Sequence, residues 1–444
     1  MTQTAPQLNI SITPLKNALL VSEKQDLQVL VRLQAEQTNT TKHMPLSVAL
    51  VIDRSGSMRR DRILAAKNAC KEFVSRLSDD DELGLVVYDS NVDVLLELMP
   101  VAKVRPILNS VLESFDVGGS TNLHGGWLAG AEILASRTSS SRVCRVVLLS
   151  DGGANDGIVN PDAICEQVKS LANAGVTTST VGIGMGFNEE LMTAMAQAGL
   201  GNAIYGDRPE DLYESFDTEI SLLKKLAWSE VSLEILNSSF AWKMHNDYIQ
   251  LDKFKWRMPS IASNSEAWMA LSTPMDGVIN QLISQPETCI MSVLVKAVNA
   301  DGQVIEFKSE LKNLPIVSRS EYANTSINTQ VQLRFQESEA ADLQRLAFKA
   351  VDRGDWRAVE ALLADIEGRS ADNDWLKDTL VVLKRLCFDR DEQRLKKELH
   401  YSSRTLKNRL SEIDGGDYSG MDIESTKEAF LRRKSSQGRR TSDI

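Results

Sequence analysis

The chain has little of what marks membrane-embedded, exported or zinc-clustering proteins. No run approaches the roughly 18 apolar residues that span a bilayer. The opening residues, Met1 to Pro6, lack the charged-then-apolar pattern of an export signal. Both absences predict a cytoplasmic protein with no membrane span. Cysteine is sparse: Cys70, Cys144, Cys165, Cys289 and Cys387 are scattered without C-x-x-C spacing. Several sit on apolar patterns, so buried free thiols in a reducing compartment are expected. The four histidines, His43, His124, His245 and His400, form no spaced ligand pair. No G-x-x-x-x-G-K-[ST] run exists, which excludes a P-loop. Basic residues are outnumbered, and the formal net charge of −11 argues against nucleic acid as a partner. No nucleophile–base pair emerges, so the chain is not expected to be an enzyme.

What is present is an ordinary globular composition, 42% apolar and 25% charged over 444 residues, enough for two or three domains. Within it one stretch carries chemistry. Asp53-Arg54-Ser55-Gly56-Ser57 follows the apolar run Leu46 to Ile52, which reads as a buried strand, and precedes a helical pattern beginning near Asp61. One carboxylate and two hydroxyls, spaced by two, thus sit where a strand feeds a helix. Open α/β sheets place their ligand sites there. The donors are all hard oxygens, which suit Mg²⁺ rather than zinc or copper. Two further segments complete the set. Gly118-Gly119-Ser120-Thr121-Asn122 offers a threonine hydroxyl after a glycine turn, and Leu148-Leu149-Ser150-Asp151-Gly152-Gly153 puts an aspartate at the end of another apolar strand.

D-x-S-x-S, a threonine loop and a strand-end aspartate, in that order, resemble the von Willebrand factor type A domain and its metal-ion-dependent adhesion site. The resemblance covers residues 45–224. It implies a metal set of Asp53, Ser55, Ser57, Thr121 and Asp151. Ser55, Ser57 and Thr121 would bind Mg²⁺, or Mn²⁺ in its place, through their hydroxyls; Asp53 and Asp151 would act mainly through coordinated water. Neutral hydroxyls leave much of the ion's charge unneutralised, and an Asp or Glu from a partner protein can complete the shell. The implied function is a metal-dependent protein-binding scaffold. Two other readings of the same residues stand beside it. Asp53 could cap the following helix while the serines satisfy loop amides. A phosphotransfer enzyme also carries an aspartate after its first strand, but usually wants a second acid nearby, where this chain has serine.

The central segment alternates helix and strand patterns. Helical faces run from Arg59 to Leu77, through Val104, Leu108, Val111, Leu112 and Phe115, from Leu123 to Ala135, after Asn160-Pro161, and from Asn188 to Gln197. Strands are predicted at Glu82 to Tyr88, Val92 to Leu98, Val143 to Leu149 and Val176 to Ile183. The fold class is therefore α/β, a Rossmann-like domain with a mostly parallel sheet covered on both faces. The flanks alternate apolar and polar residues, as strands do: Leu8, Ile10, Ile12 and Leu27, Val29, Val31, Leu33 before it, Val231, Leu233, Ile235 and others after it. An early strand pair is rarely stable alone. The economical solution joins 7–44 to 225–330 in one β-sandwich, with the type A domain as an insertion.

Residues 333–411 read as a helical region, in part resembling one tetratricopeptide-type hairpin. Inside it lies Arg353-Gly354-Asp355, which matches an integrin-recognised tripeptide. Gly354 suits a helix C′ position and Asp355 the next N-cap, so a structural role is expected. The tail, 412–444, loses apolar periodicity and ends in basic pairs followed by hydroxyls, which reads as disordered. The whole chain resembles bacterial cytoplasmic proteins with a type A domain between sandwich halves and a helical C-terminus. That resemblance offers an alternative role, as regulatory subunit of a MoxR-type AAA+ ATPase machine or of a kinase/phosphatase signalling set.

Overall fold

A computed structural model describes residues 7–21, 25–36, 44–59, 61–139, 142–184, 187–206, 219–220, 223–236, 240–275, 279–284, 289–299, 301–312, 314–370, 373–408 and 411–412. Most of the tail, expected to be disordered, lies outside the described residues. The chain divides into two compact units. One comprises Thr40–Leu226 with the turn Asn299–Gln303; the other comprises Met1–Asn39, Ala227–Val298 and Val304–Ile444.

In chain order the second unit begins first, with strands β1 (Leu8–Pro14), β2 (Leu19–Leu20) and β3 (Asp26–Ala35). The first unit then supplies β4 (Leu46–Asp53), α1 (Asp61–Arg76), β5 (Glu82–Tyr88), β6 (Val92–Pro100), α2 (Val101–Val104), α3 (Leu108–Glu113) and α4 (Leu123–Ala135). It continues with β7 (Val143–Ser150), α5 (Pro161–Asn173), β8 (Val176–Ile183), α6 (Glu189–Ala198) and β9 (Leu200–Gly206).

These strands form one sheet in the order β6-β5-β4-β7-β8-β9, parallel throughout except for β6, which runs antiparallel to β5. The expected mostly parallel sheet is borne out. Every residue of β4 and β7 is buried, as central strands covered on both faces must be. Alternate side chains serve the two faces. Val48, Leu50 and Ile52 pack with Ala66, Cys70 and Phe73 of α1. On the other face α4 approaches so closely that a methyl added at Gly130 would strike Val51, and one at Gly126 would strike Tyr88. Trp127 between them is fully buried, its Nε1 donating to Thr178 Oγ1 at 3.0 Å.

The pattern read as one helix over 104–115 is instead α2 and α3, separated by a turn at 105–107. Pro106 cannot supply a helical N–H, and its ring crowds the preceding turn. The apolar face survives the break: Val104, Leu108, Leu112 and Phe115 are all buried. Strand β9 carried no alternation that marked it beforehand.

The other unit continues with β10 (Leu226–Ile235), β11 (Lys243–Met244), β12 (Ile249–Asp252), β13 (Lys255–Arg257), β14 (Ile261–Ala262), β15 (Ser265–Pro274), α7 (Ile279–Ser284), β16 (Met291–Asn299), β17 (Val304–Leu311) and β18 (Ile316–Val317). Strand β3 lies between β1 and β15 and pairs antiparallel with each, so N-terminal residues are hydrogen-bonded to residues more than two hundred positions later. A second sheet has the order β12-β13-β10-β16-β17. Val29, Val31 and Leu33 of β3 share one apolar core with Val231 and Leu233 of β10 and Val293 and Val295 of β16.

Helices α8 (Arg319–Asn324), α9 (Thr329–Asp352), α10 (Trp356–Arg369), α11 (Asp374–Phe388) and α12 (Glu392–Asn408) follow. Val331 and Phe335 of α9 pack on Leu30, Trp268 and Ala270, covering the other face of the β3–β15 pair. The same contact holds a buried charge cluster. Arg32 Nη2 meets Glu266 Oε2 at 2.5 Å, Arg334 Nη2 lies 3.5 Å from Glu266 Oε1, and Arg334 Nη1 meets Glu337 Oε2 at 2.9 Å. Arg353-Gly354-Asp355 joins α9 to α10. Gly354 has φ +67°, and Asp355 caps α10 by accepting from Ala358 N at 3.1 Å.

Candidate metal centre

The site lies at the C-terminal edge of the parallel strands, where the chain changes direction. From β4 the crossover through α1 leads to one side of the sheet; from β7 the crossover through α5 leads to the other. The loops after β4 and β7 diverge there and leave a crevice between them. Asp53 is the last residue of β4, Ser150 is the last of β7, and Asp151 follows it directly. The spacing D-x-S-x-S has a local reason. Asp53 Oδ1 accepts from Ser55 N at 2.7 Å, which turns the backbone sharply, and the Gly56–Met58 3₁₀ turn then carries Ser57 back over the strand end.

Four of the five sequence-derived residues are joined directly. Ser55 Oγ and Ser57 Oγ are 3.1 Å apart, Ser57 Oγ donates to Asp151 Oδ1 at 2.6 Å, and Ser150 Oγ donates to Asp53 Oδ2 at 2.7 Å, linking the two strand ends. Thr121 comes to the same place: a methyl added at Gly152 would lie 3.6 Å from Ser57 Oγ and 3.8 Å from Thr121 Oγ1. Asp53, Ser55, Thr121 and Asp151 are buried, while Ser57 is exposed and marks the mouth.

The threonine loop is held at many points. Gly118 N donates to Arg54 O at 2.7 Å, Gly119 N to Asp89 Oδ2 at 3.2 Å, Ser120 N to Ser90 Oγ at 2.9 Å and Thr121 N to Asn155 Oδ1 at 2.7 Å. Gly118 and Gly119 invite the expectation of unusual backbone angles, but neither has positive φ. They are glycines because a side chain at 118 would strike Asp89 and one at 119 would strike Ser90. The Asp89 carboxyl is held below the usual range: hydrogen bonds from Asn91 N and Gly119 N and the Arg54 guanidinium outweigh its partial desolvation. His124 stays out of the centre, with Nε2 2.9 Å from Gln167 Oε1.

Burial pushes the Asp53 carboxyl up to about 6, with hydrogen bonds from Ser55 and Ser150 pulling it back and the nearby Asp151 pushing further. Two carboxylates this close, largely dry and ringed by hydroxyls, suit a compensating hard cation. Among the described residues no group of three His, Cys, Asp or Glu side chains converges; the side chains gathered at this sheet edge are two carboxylates and three hydroxyls. That is oxygen chemistry, and it fits Mg²⁺ or Mn²⁺.

Sequence reasoning passed over Ser150, Asp89, Asn155 and Arg62. Asp89 directly follows an apolar strand just as Asp151 does, so the same rule finds it. Asn155 and Arg62 carry no local signal; only the folded loops bring them to Thr121 and Asp151.

Residues 47–217 match the profile of the von Willebrand factor type A domain. The Escherichia coli protein YfbK is 30% identical over 202 residues, 44% of this chain and 34% of that protein. The human inter-alpha-trypsin inhibitor heavy chain H3 is 27% identical over 178 residues, 38% of this chain and 20% of that one. The chain thus spans well under half the length of these curated relatives. A solved structure of a von Willebrand factor type A protein from Catenulispora acidiphila superposes with TM-score 0.68 at 18% identity, covering 85% of this chain and 90% of that one, which extends the likeness in fold beyond the central unit. Sheet order, loop order and sequence match agree: residues 47–217 are a von Willebrand factor type A domain.

Proposed function

We propose that this chain is a protein-binding scaffold whose type A domain holds Mg²⁺ or Mn²⁺ at Asp53, Ser55, Ser57, Thr121 and Asp151 and through it takes an Asp or Glu side chain of a partner. One observation carries the reading: two carboxylates and three hydroxyls from three separate loops converge at the mouth of the sheet with only Ser57 exposed. When bound, a divalent cation supplies a concentrated positive charge there. The residues themselves do the positioning. Ser150 fixes the Asp53 carboxylate, Asn155 and Asp89 fix the threonine loop, and the hydroxyls leave the charge largely unneutralised for an incoming anion. Relatives that share the domain support an interaction role over catalysis.

Among the described residues no helix is long and apolar enough to cross a membrane. The five cysteines are free thiols, which supports placing the chain in a reducing compartment, the cytoplasm. We also read the two flanking sheets as one β-sandwich, 7–44 with 225–330, interrupted by 45–224 and followed by a helical region over 333–411.

Calorimetric titration of Mn²⁺ and Mg²⁺ into wild type, Asp53→Ala, Asp151→Ala and Thr121→Ala tests the centre. Saturable binding in wild type, lost in both aspartate variants and weakened in Thr121→Ala, is expected, because a neutral oxygen contributes less than a carboxylate. Equal binding by all four proteins would refute the assignment.

A further inference from the structure

Arg62 sits on the candidate centre without a part in the function just described. Its Nη1 meets Asp151 Oδ2 at 2.6 Å, and Ser57 O lies 3.5 Å away. With Ser57 Oγ on Oδ1, both oxygens of Asp151 are engaged. The guanidinium has a built seat: a methyl added at Gly184, beyond the end of β8, would lie 2.9 Å from Arg62 Nη2 and 3.1 Å from its Cζ. Arg62 is also the second residue of α1, where the helix dipole favours anions and a cation is locally disfavoured. Its side chain is 36% exposed, so it has room to swing outward.

The charges make the consequence concrete. Asp53 and Asp151 sum to −2, and Arg62 brings the cluster to −1. A divalent cation then leaves it at +1, whereas without Arg62 it would be neutral. A loaded centre therefore keeps an excess positive charge that an incoming carboxylate removes.

We propose that Arg62 is a tethered cation that competes with the divalent metal for Asp151, so that the metal is held weakly alone and tightly once a carboxylate arrives. This rests on the metal-centre reading above. It makes metal and partner binding reciprocal, since whatever raises the affinity for one raises it for the other.

The test is Mn²⁺ affinity of the full chain, read by electron paramagnetic resonance of free Mn²⁺ and by calorimetry. Arg62→Gln is expected to bind Mn²⁺ about tenfold more tightly than wild type, the change due to losing one partly buried competing ion pair. Arg62→Met, which keeps the aliphatic stem, reads the same way should the glutamine variant fold poorly. Arg62→Lys should return to within about threefold of wild type, because the competing charge is restored. Arg59→Gln removes a nearby charge that does not touch Asp151 and should change affinity by less than about twofold, as expected for an exposed charge. Equal or weaker Mn²⁺ binding by Arg62→Gln and Arg62→Met, beside measurable binding by wild type, would overturn the competition while leaving the centre intact. Absence of Mn²⁺ binding in every variant would overturn the metal centre itself, and the competition with it.

Discussion

Replacing Asp53 by asparagine should make the metal-free protein more stable. In the folded state burial lifts this carboxyl from 3.8 to about 6. At neutral pH the ionised form therefore costs the fold about 3 kcal/mol, two pKa units at about 1.4 kcal/mol each. The side chain is fully buried, so solvent screening does not reduce the figure. Asparagine keeps the shape, and its oxygen can still accept from Ser55 N. On the other side the new amide would face Ser150 Oγ, which must stop donating there; that hydroxyl already lies 3.3 Å from Gly152 O and can donate to it instead. Allowing about 1 kcal/mol for imperfect exchange of one hydrogen bond, the net gain is about 1–3 kcal/mol, or roughly 3–8 °C in Tm for a domain of this size. The sign fixes the pH window. A raised carboxyl pKa means that the protonated side chain contributes stability fully present below pH 3.8 and lost as pH rises through about 6. Asp53→Asn and wild type should thus be closest in stability near pH 4, diverge as pH rises from about 4 to about 6, and differ by a constant margin above that. Calorimetric or urea unfolding in EDTA across pH 4 to 8 reads this directly. With excess Mg²⁺ the order should reverse, since only wild type gains from ligand binding. An asparagine variant that is less stable than wild type in EDTA at pH 7.5, by a margin that does not change with pH, would refute the reasoning.

Two more outcomes are expected. A fragment of residues 45–223 should fold alone, whereas one of residues 225–330 should not, because β15 loses β3 as its antiparallel neighbour; a well-dispersed NMR spectrum from the second fragment would show the sandwich reading to be wrong. Glu266→Ala strands Arg32 and leaves Arg334 with a lesser share of its buried partners, so a loss of about 3–5 kcal/mol is expected in urea unfolding; a change below 1 kcal/mol would mean that the cluster is dispensable.

Much of the fold was legible because buried parallel strands and covering helices leave opposite periodicities in the sequence. Val176–Ile183 and Leu123–Ala135 begin and end where pattern and caps place them. Asn160 before Pro161 marks its helix start, with Asn160 Oδ1 accepting from Ala163 N. The three loops of the candidate centre were legible because each follows an apolar run or a glycine pair. What stayed hidden depends on distant encounters. The break at Pro106, the role of Gly118 as clearance for Asp89, and the arrival of Arg62 at Asp151 are fixed by which loops meet, and no local pattern encodes that. The short strands β11 to β14 were hidden for another reason: two to four residues are too few to show a period.

The glycines on the inner face of α4 have a mechanical consequence. Gly126 and Gly130 let the helix lie against Tyr88 and Val51 with no clearance for a single methyl, and Trp127 pins it between them. Helix and sheet therefore behave as one stiff body. Thr121 sits two residues ahead of that body, at the end of a strip whose other anchors, Asp89 and Ser90, belong to the loop after β5. Motion at the threonine is confined to the few bonds between Gly118 and Asn122, a short lever between two fixed posts. The contacts through which a displacement of that strip would reach its neighbours are those to Ser90 and Asn155.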